Sequence, residues 1–287
     1  MDVNMDPVII IGMHRAGTSM LTRFLEEAGI FMGKDKGIND ESLFFQHINN
    51  WSLFQANCTW DNPYNIQFMN EFLLNNLHRT IENRLSSIFL SRYSGISKFL
   101  RFRSVKNFNF KWGWKDPRNT LLMPLWSRIF PGARIIHIYR NPLDVAGSLM
   151  KREYSLEKKF TPNFRIKRIE TFLKPGRIYY QSSRVHNIDE GIKLWKEYTE
   201  IALDSSRYFK NTIHIRYEDL AEDTEKCLAG LFDFLGIGKN KDILNSISAK
   251  IDKSRSLAFI NDPDSLKVYE KYRSDDIFAK LNYDKLI

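Results

Sequence analysis

Cysteine is scarce: Cys58 and Cys227 are the only two in 287 residues. They are too few and too far apart to form a disulfide framework or a clustered zinc site, so a reduced interior is expected. The chain also lacks any run approaching the roughly 18 apolar residues of a membrane span. Its first apolar run, Val8 to Ile11, is too short for a signal peptide and has no basic stretch ahead of it. The expectation is a soluble, cytoplasmic protein, with a luminal enzyme lacking its anchor as the alternative. There is no internal repeat and no low-complexity tract, which argues against solenoids and disordered arrays. Acidic residues are in deficit, 34 against 43 Lys plus Arg, a formal charge of +9. That balance points to an anionic partner. Nucleic acid, an anionic membrane surface, an acidic polymer and a phosphorylated nucleotide all stay open on charge alone.

What is present is enough apolar sequence, 43% of residues, to bury a large core. One domain over residues 1–287 is the simplest organisation. Val8-Ile9-Ile10-Ile11 reads as a buried parallel strand ending at Gly12. Leu21, Phe24, Leu25 and Ala28 then recur at helical spacing before Gly29. A second unit begins with the strand Arg134 to Tyr139, followed by a helix with Asn141 as N-cap and Pro142 in its first position. A third has a helix from about Asp189 through Ile201, a strand from Thr212 to Tyr217, and a helix ending at Gly236. Repeated strand–helix units predict an α/β fold, a parallel sheet flanked by helices on both faces. Two passages break the rhythm. About 91–111 mixes basic and aromatic residues, and 151–186 carries ten basic residues and three acidic ones. Both are candidate lid or acceptor-facing insertions.

Gly12-Met13-His14-Arg15-Ala16-Gly17-Thr18-Ser19 lies where a strand hands over to a helix. Backbone N–H groups and the positive end of the helix dipole can converge there on an anion. The glycines are spaced as in the Walker A loop, but Thr18 stands where that loop carries its lysine. The strand ending at Tyr139 is followed by Arg140 rather than a metal-holding carboxylate. Both departures argue against an ATP-dependent kinase and for an anion site that works without a metal.

GMHRAGTS after a hydrophobic strand resembles the 5'-phosphosulfate loop of the sulfotransferases that use 3'-phosphoadenosine 5'-phosphosulfate (PAPS). Tyr139-Arg140-Asn141-Pro142-Leu143-Asp144-Val145-Ala146-Gly147-Ser148 resembles the same family's 3'-phosphate motif. The resemblance spans roughly residues 8–236 and implies a P-loop NTPase-like fold and transfer of a sulfuryl group to a hydroxyl or amine, without metal, with release of 3',5'-ADP. It gives the 5'-phosphosulfate to Arg15, Ala16, Gly17, Thr18 and Ser19, with Arg15 also offsetting charge on the leaving oxygens. It gives the 3'-phosphate to Arg140 and Ser148. Arg216-Tyr217-Glu218-Asp219-Leu220 resembles a strand-end segment of the family and makes Tyr217 a nucleotide contact.

Trp114-Lys115-Asp116-Pro117 contains a helix start, Asp116 as cap and Pro117 following. The resemblance to members with a Lys-Asp-Pro motif assigns Lys115 to the transferred sulfuryl group. The acceptor also needs a general base. Family members place a carboxylate some 20 to 30 residues past the phosphate loop, where this chain has Asp35, Asp40 and Glu41. The position after the aromatic pair Phe44-Phe45, where relatives are expected to carry Glu, is Gln46. Glu41 and His47 stay as equal candidates. A P-loop kinase or other phosphotransferase is the competing enzyme reading, and a basic nucleic-acid-binding protein the competing non-enzyme one. No nucleic-acid module is visible, so nucleic acid is not expected as a partner. The acceptor is left open among an anionic glycan, a lipid and a small molecule, with peripheral membrane contact compatible with the basic segments.

Overall fold

In a computed structural model of the chain, residues 5–160, 181–238 and 240–287 are described. Val8–Ile11 forms β1, Gly113–Lys115 β2, Arg134–Tyr139 β3 and Asn211–Arg216 β4. They make one sheet in the order β2-β1-β3-β4 with every neighbouring pair parallel. Val8 pairs with Gly113 on one side and Arg134 on the other, so the ends of β1, β2 and β3 emerge together at one edge of the sheet. β4 stops one residue earlier than the sequence suggests. Tyr217 opens the following helix because Glu218 and Asp219 supply the acidic first turn that favours a helix start there.

The helices are α1 (Thr18–Glu27), α2 (Leu43–Gln55), α3 (Glu71–Leu85), α4 (Leu90–Ser94), α5 (Ile96–Phe102), α6 (Met123–Ile129) and α7 (Pro142–Phe160). After them come α8 (Ile188–Leu203), α9 (Tyr217–Glu222), α10 (Thr224–Leu235), α11 (Lys241–Ser248), α12 (Pro263–Tyr272) and α13 (Asp276–Lys280). The chain divides into two compact units. The first comprises Met1–Tyr139 and Tyr198–Lys253, the second Arg140–Glu197 and Ser254–Ile287.

The first unit holds the sheet and is covered on both faces. Val8, Ile10, Ile136 and Ile138 pack with Leu21, Phe24 and Leu25 of α1 and with Leu228, Leu231 and Phe232 of α10. On the other side, Phe45 of α2 stacks on Trp114 with centroids 4.0 Å apart, and Trp112, Trp126 and Phe130 join the same aromatic group. The stretch 91–111 forms α4, α5 and a short 3-10 turn, with Tyr93, Phe99, Val105 and Phe108 buried. Tyr93 donates a hydrogen bond to the Gly113 carbonyl, 2.6 Å.

In the second unit Asn141 caps α7, its Oδ1 accepting from the Leu143 N–H at 3.0 Å. A Cβ on Gly191 would stand 2.9 Å from that of Ala146, so α8 and α7 meet at a contact only glycine permits. Glu153 of α7 accepts from the N–H groups of Gln181 and Ser182. Most of the basic 151–186 segment, Arg165 and Lys167 included, lies outside the described residues. Among the described residues, no helix is long and apolar enough to cross a membrane.

Candidate functional site

The glycine loop leaves β1 at Gly12, whose φ of +133° and whose closeness to β3 both require glycine. An added Cβ would sit 2.2 Å from the Ile138 carbonyl oxygen. The Gly12 N–H donates to Thr120 Oγ1 at 2.9 Å. Arg15 is exposed and adopts a left-handed φ of +70°, while Ala16 beneath it is fully buried. Gly17, at φ +103°, is the N-cap of α1. Tyr217 explains why no larger residue stands there, because its ring would lie 2.9 Å from a Cβ at that position. Tyr217 is buried against the loop, and its hydroxyl donates to the Asp252 carbonyl at 3.3 Å. His14 packs edge-on against Trp60, the ring centroids 4.7 Å apart.

Three residues singled out in sequence converge beside the start of α1. Lys115, the last residue of β2, donates to Glu41 Oε1 at 2.7 Å and to Ser19 Oγ at 3.3 Å, and also to the carbonyl of Asn39. Ser19 donates to that same carbonyl at 2.5 Å. The Lys115 side chain has no exposure and that of Glu41 has 6%. Burial pulls the Lys115 ammonium below the ordinary lysine range, and the Glu41 carboxylate works in the opposite direction.

A folded loop delivers Glu41. Asp35 accepts from Ser42 Oγ at 3.0 Å and from the Phe44 N–H at 2.6 Å, while its carbonyl accepts from the Leu43 N–H. Ser42 is the α2 N-cap. Asp35 is thereby a brace for the loop, and its carboxyl is pushed up by burial. Asp40 pairs with Arg23 at 3.3 Å. His47 does not join this cluster: α2 buries Phe44, Phe45, Ile48 and Asn49, and His47 is exposed.

Sequence reasoning missed a polar network behind Lys115. Asp116 caps the turn at Pro117–Thr120 and accepts from Arg118 twice, through its backbone N–H at 3.0 Å and its Nη1 at 2.9 Å. Its other oxygen accepts from Asn49 Nδ2 at 3.0 Å, and Asn49 Oδ1 in turn accepts from Trp126 Nε1. Asn119 Nδ2 donates to the Ile10 carbonyl, tying β1 to the same group. The available signal was Asn49 itself, an amide on the apolar face of α2, which a core tolerates only if it is hydrogen-bonded.

In the second unit, Arg140 is buried and its guanidinium pairs with Asp144 at 2.9 Å and donates to the Arg255 carbonyl. Trp195 Nε1 donates to the Arg140 carbonyl at 3.0 Å. Ser148 lies on α7, half-buried. No group of three or more His, Cys, Asp or Glu side chains is placed to hold a metal ion among the described residues.

A model of the sulfotransferase family matches residues 7–241. No curated protein matches the chain. Similar solved structures include the sulfotransferase domain from the curacin biosynthetic pathway, at 14% identity over 86% of this chain and 79% of that one, TM-score 0.46. The sulfotransferase domain of the Synechococcus PCC 7002 olefin synthase is 16% identical over 91% and 82%, TM-score 0.45. Sulfotransferase STF9 from Mycobacterium avium is 12% identical over 94% and 76%, TM-score 0.44.

Proposed function

We propose, for a chain that belongs to the sulfotransferase family, that it moves the sulfuryl group of PAPS onto a hydroxyl or amine acceptor by in-line displacement, without a metal. The observation that carries this reading is the Lys115–Glu41–Ser19 cluster beside the glycine loop. The donor fits the chemistry of the residues present. The loop offers backbone amides at a helix start with Arg15 beside them, and Thr18 stands where a nucleoside triphosphate site needs lysine. The resemblance in sequence assigns the 5'-phosphosulfate to Arg15, Ala16, Gly17, Thr18 and Ser19, the 3'-phosphate to Arg140 and Ser148, and a nucleotide contact to Tyr217.

In this reading Glu41 is the general base and takes the proton of the acceptor as its oxygen or nitrogen bonds to sulfur. The sulfur–oxygen bond to the phosphate breaks, and 3',5'-ADP leaves. Lys115 exchanges one of its three acceptors for a sulfuryl oxygen and neutralises the charge that spreads there. Arg15 does the same for the leaving oxygens. Glu41 is preferred to His47 because Glu41 is held against Lys115, whereas His47 is exposed elsewhere on α2. The acceptor is proposed at class level only, as a glycan, lipid or small molecule.

Calorimetric titration with 3',5'-ADP in the absence of metal, alongside ATP with magnesium, tests the donor. Metal-independent binding of 3',5'-ADP that Arg140→Ala weakens by about 1.5–3 kcal/mol is expected, the scale of a hydrogen bond to a charged group. A preference for magnesium-ATP would instead favour a phosphotransferase.

A further inference from the structure

One face of α2 takes no part in the Lys115 cluster. Leu43, Gln46, His47 and Asn50 recur at helical spacing and line a cavity of about 220 Å³ to which Arg84 of α3 and Arg92 of α4 also contribute. Neither arginine forms an ion pair among the described residues, unlike Arg23, Arg118, Arg128 and Arg140. Glu82, two residues before Arg84, is committed to Lys106 at 2.5 Å and His78 at 3.2 Å. Asp35 feels Arg92 only through space, its oxygens being taken by Ser42 and the Phe44 N–H. Arg84 Cζ stands over the Phe89 ring, 3.7 Å from its centroid, a contact that restrains the guanidinium.

Two guanidinium groups without carboxylate partners, an imidazole and two carboxamides form a wall rich in hydrogen-bond donors, the composition that recognises oxyanions. At about 30 Å³ per water the cavity has room for about seven waters. That is below the roughly 300 Å³ at which sites for drug-sized ligands begin, and it suits an anionic head group. We infer that this cavity is an anion site separate from the glycine loop, taking a phosphate- or sulfate-type tetrahedral oxyanion. The inference does not depend on the donor assignment, because it shares no residue with it.

The test follows the His47 ring by NMR in the full chain at pH 7, its signal assigned through its loss in His47→Gln. Sodium phosphate, sodium sulfate and phenyl phosphate are titrated at constant ionic strength against sodium chloride. A saturable, millimolar shift with the oxyanions and none with chloride is expected, weakened at least tenfold in Arg84→Gln/Arg92→Gln and unchanged in Arg140→Ala. Arg92→Gln alone, at an exposed position, gives a smaller weakening in the same direction. Tighter binding of phenyl phosphate than of inorganic phosphate identifies an organic phosphate or sulfate ester as the ligand, and equal binding identifies the free ion. An identical response to chloride, or a phosphate response that survives both arginine substitutions, overturns the inference. Loss of the 3',5'-ADP site by Arg140→Ala leaves this readout intact, so the two assignments fail separately.

Discussion

Lys115 and Arg140 are two buried cations at the ends of parallel strands, and they are held in different ways. Arg140 follows β3 and pairs with Asp144, one helical turn along α7, in the same few residues that cap that helix. Lys115 ends β2 and pairs with Glu41, 74 residues earlier, which reaches it only because the Asp35–Ser42 loop is folded. Asp144 also accepts from the N–H groups of Phe259 at 2.9 Å and Ala258 at 3.3 Å, so it keeps partners if Arg140 is removed. Lys115 supplies the ion pair of Glu41. The first arrangement is local and redundant, the second long-range and single, which makes the second the more fragile and the better suited to exchange partners during a reaction.

The largest effect is expected at Glu41. Glu41→Gln keeps the shape and removes the proposed base, and kcat with PAPS and an accepted acceptor is expected to fall by about 10²–10⁴-fold, with 3',5'-ADP affinity little changed. An unchanged kcat would place the base elsewhere and leave Glu41 as a counter-ion. Lys115→Ala should lower kcat by about 10²–10³-fold. It should also cost about 3–5 kcal/mol in urea unfolding, because a buried carboxylate loses its partner. Arg140→Ala should cost only about 1–3 kcal/mol in the same measurement, since the amides of Phe259 and Ala258 remain. Equal stability losses would erase the distinction between the two cations.

Gly17→Ala acts on the loop side of the Lys115 cluster. The left-handed conformation costs an alanine about 1–2 kcal/mol, and Tyr217 must also move from a Cβ 2.9 Å away. Weaker 3',5'-ADP binding with a near-normal kcat at saturation is expected. A normal affinity would show that the loop tolerates relaxation.

Much of this architecture was legible because it is written locally. The strand at Val8–Ile11, the glycine-bearing turn, Asn141 with Pro142 and Asp116 with Pro117 all follow from periodicity and capping, which depend on a few adjacent residues. The shift at Tyr217 was a boundary effect, with Glu218 and Asp219 recruiting the tyrosine into α9. Which of Glu41 and His47 lies against Lys115 was not legible. Glu41 precedes the α2 N-cap, so its direction is set by loop bonds to Asp35 and by Lys115, and helical periodicity says nothing about either. The Asn49–Asp116–Asn119 network and the cavity that brings Arg84 and Arg92 to α2 join segments dozens of residues apart, and sequence spacing carries no record of them.

His137 on β3 is a third buried basic group near the same sheet edge, and among the described residues it has no carboxylate in hydrogen-bond contact. Its Nδ1 lies 2.9 Å from Nδ1 of His214, so one ring donates and the other accepts, and Tyr139 stands beside it. Burial, with a smaller push from His214, lowers its pKa from 6.5 to about 3. Between those values the unfolded chain binds a proton that the folded chain refuses. This contribution to stability is therefore complete only well above pH 6.5 and is lost as pH falls towards 3, with a slope of at most about 1.4 kcal/mol per pH unit. At pH 7 about a quarter of the unfolded rings still bind the proton, so the slope has fallen to about 0.3 kcal/mol per pH unit, the smallest effect of the series. Urea unfolding from pH 7 to pH 4 should show a shallower acid loss in His137→Gln than in the parent, whatever the offset in absolute stability. Parallel curves would mean that the folded chain accepts the proton at His137, and that burial alone does not keep this ring neutral.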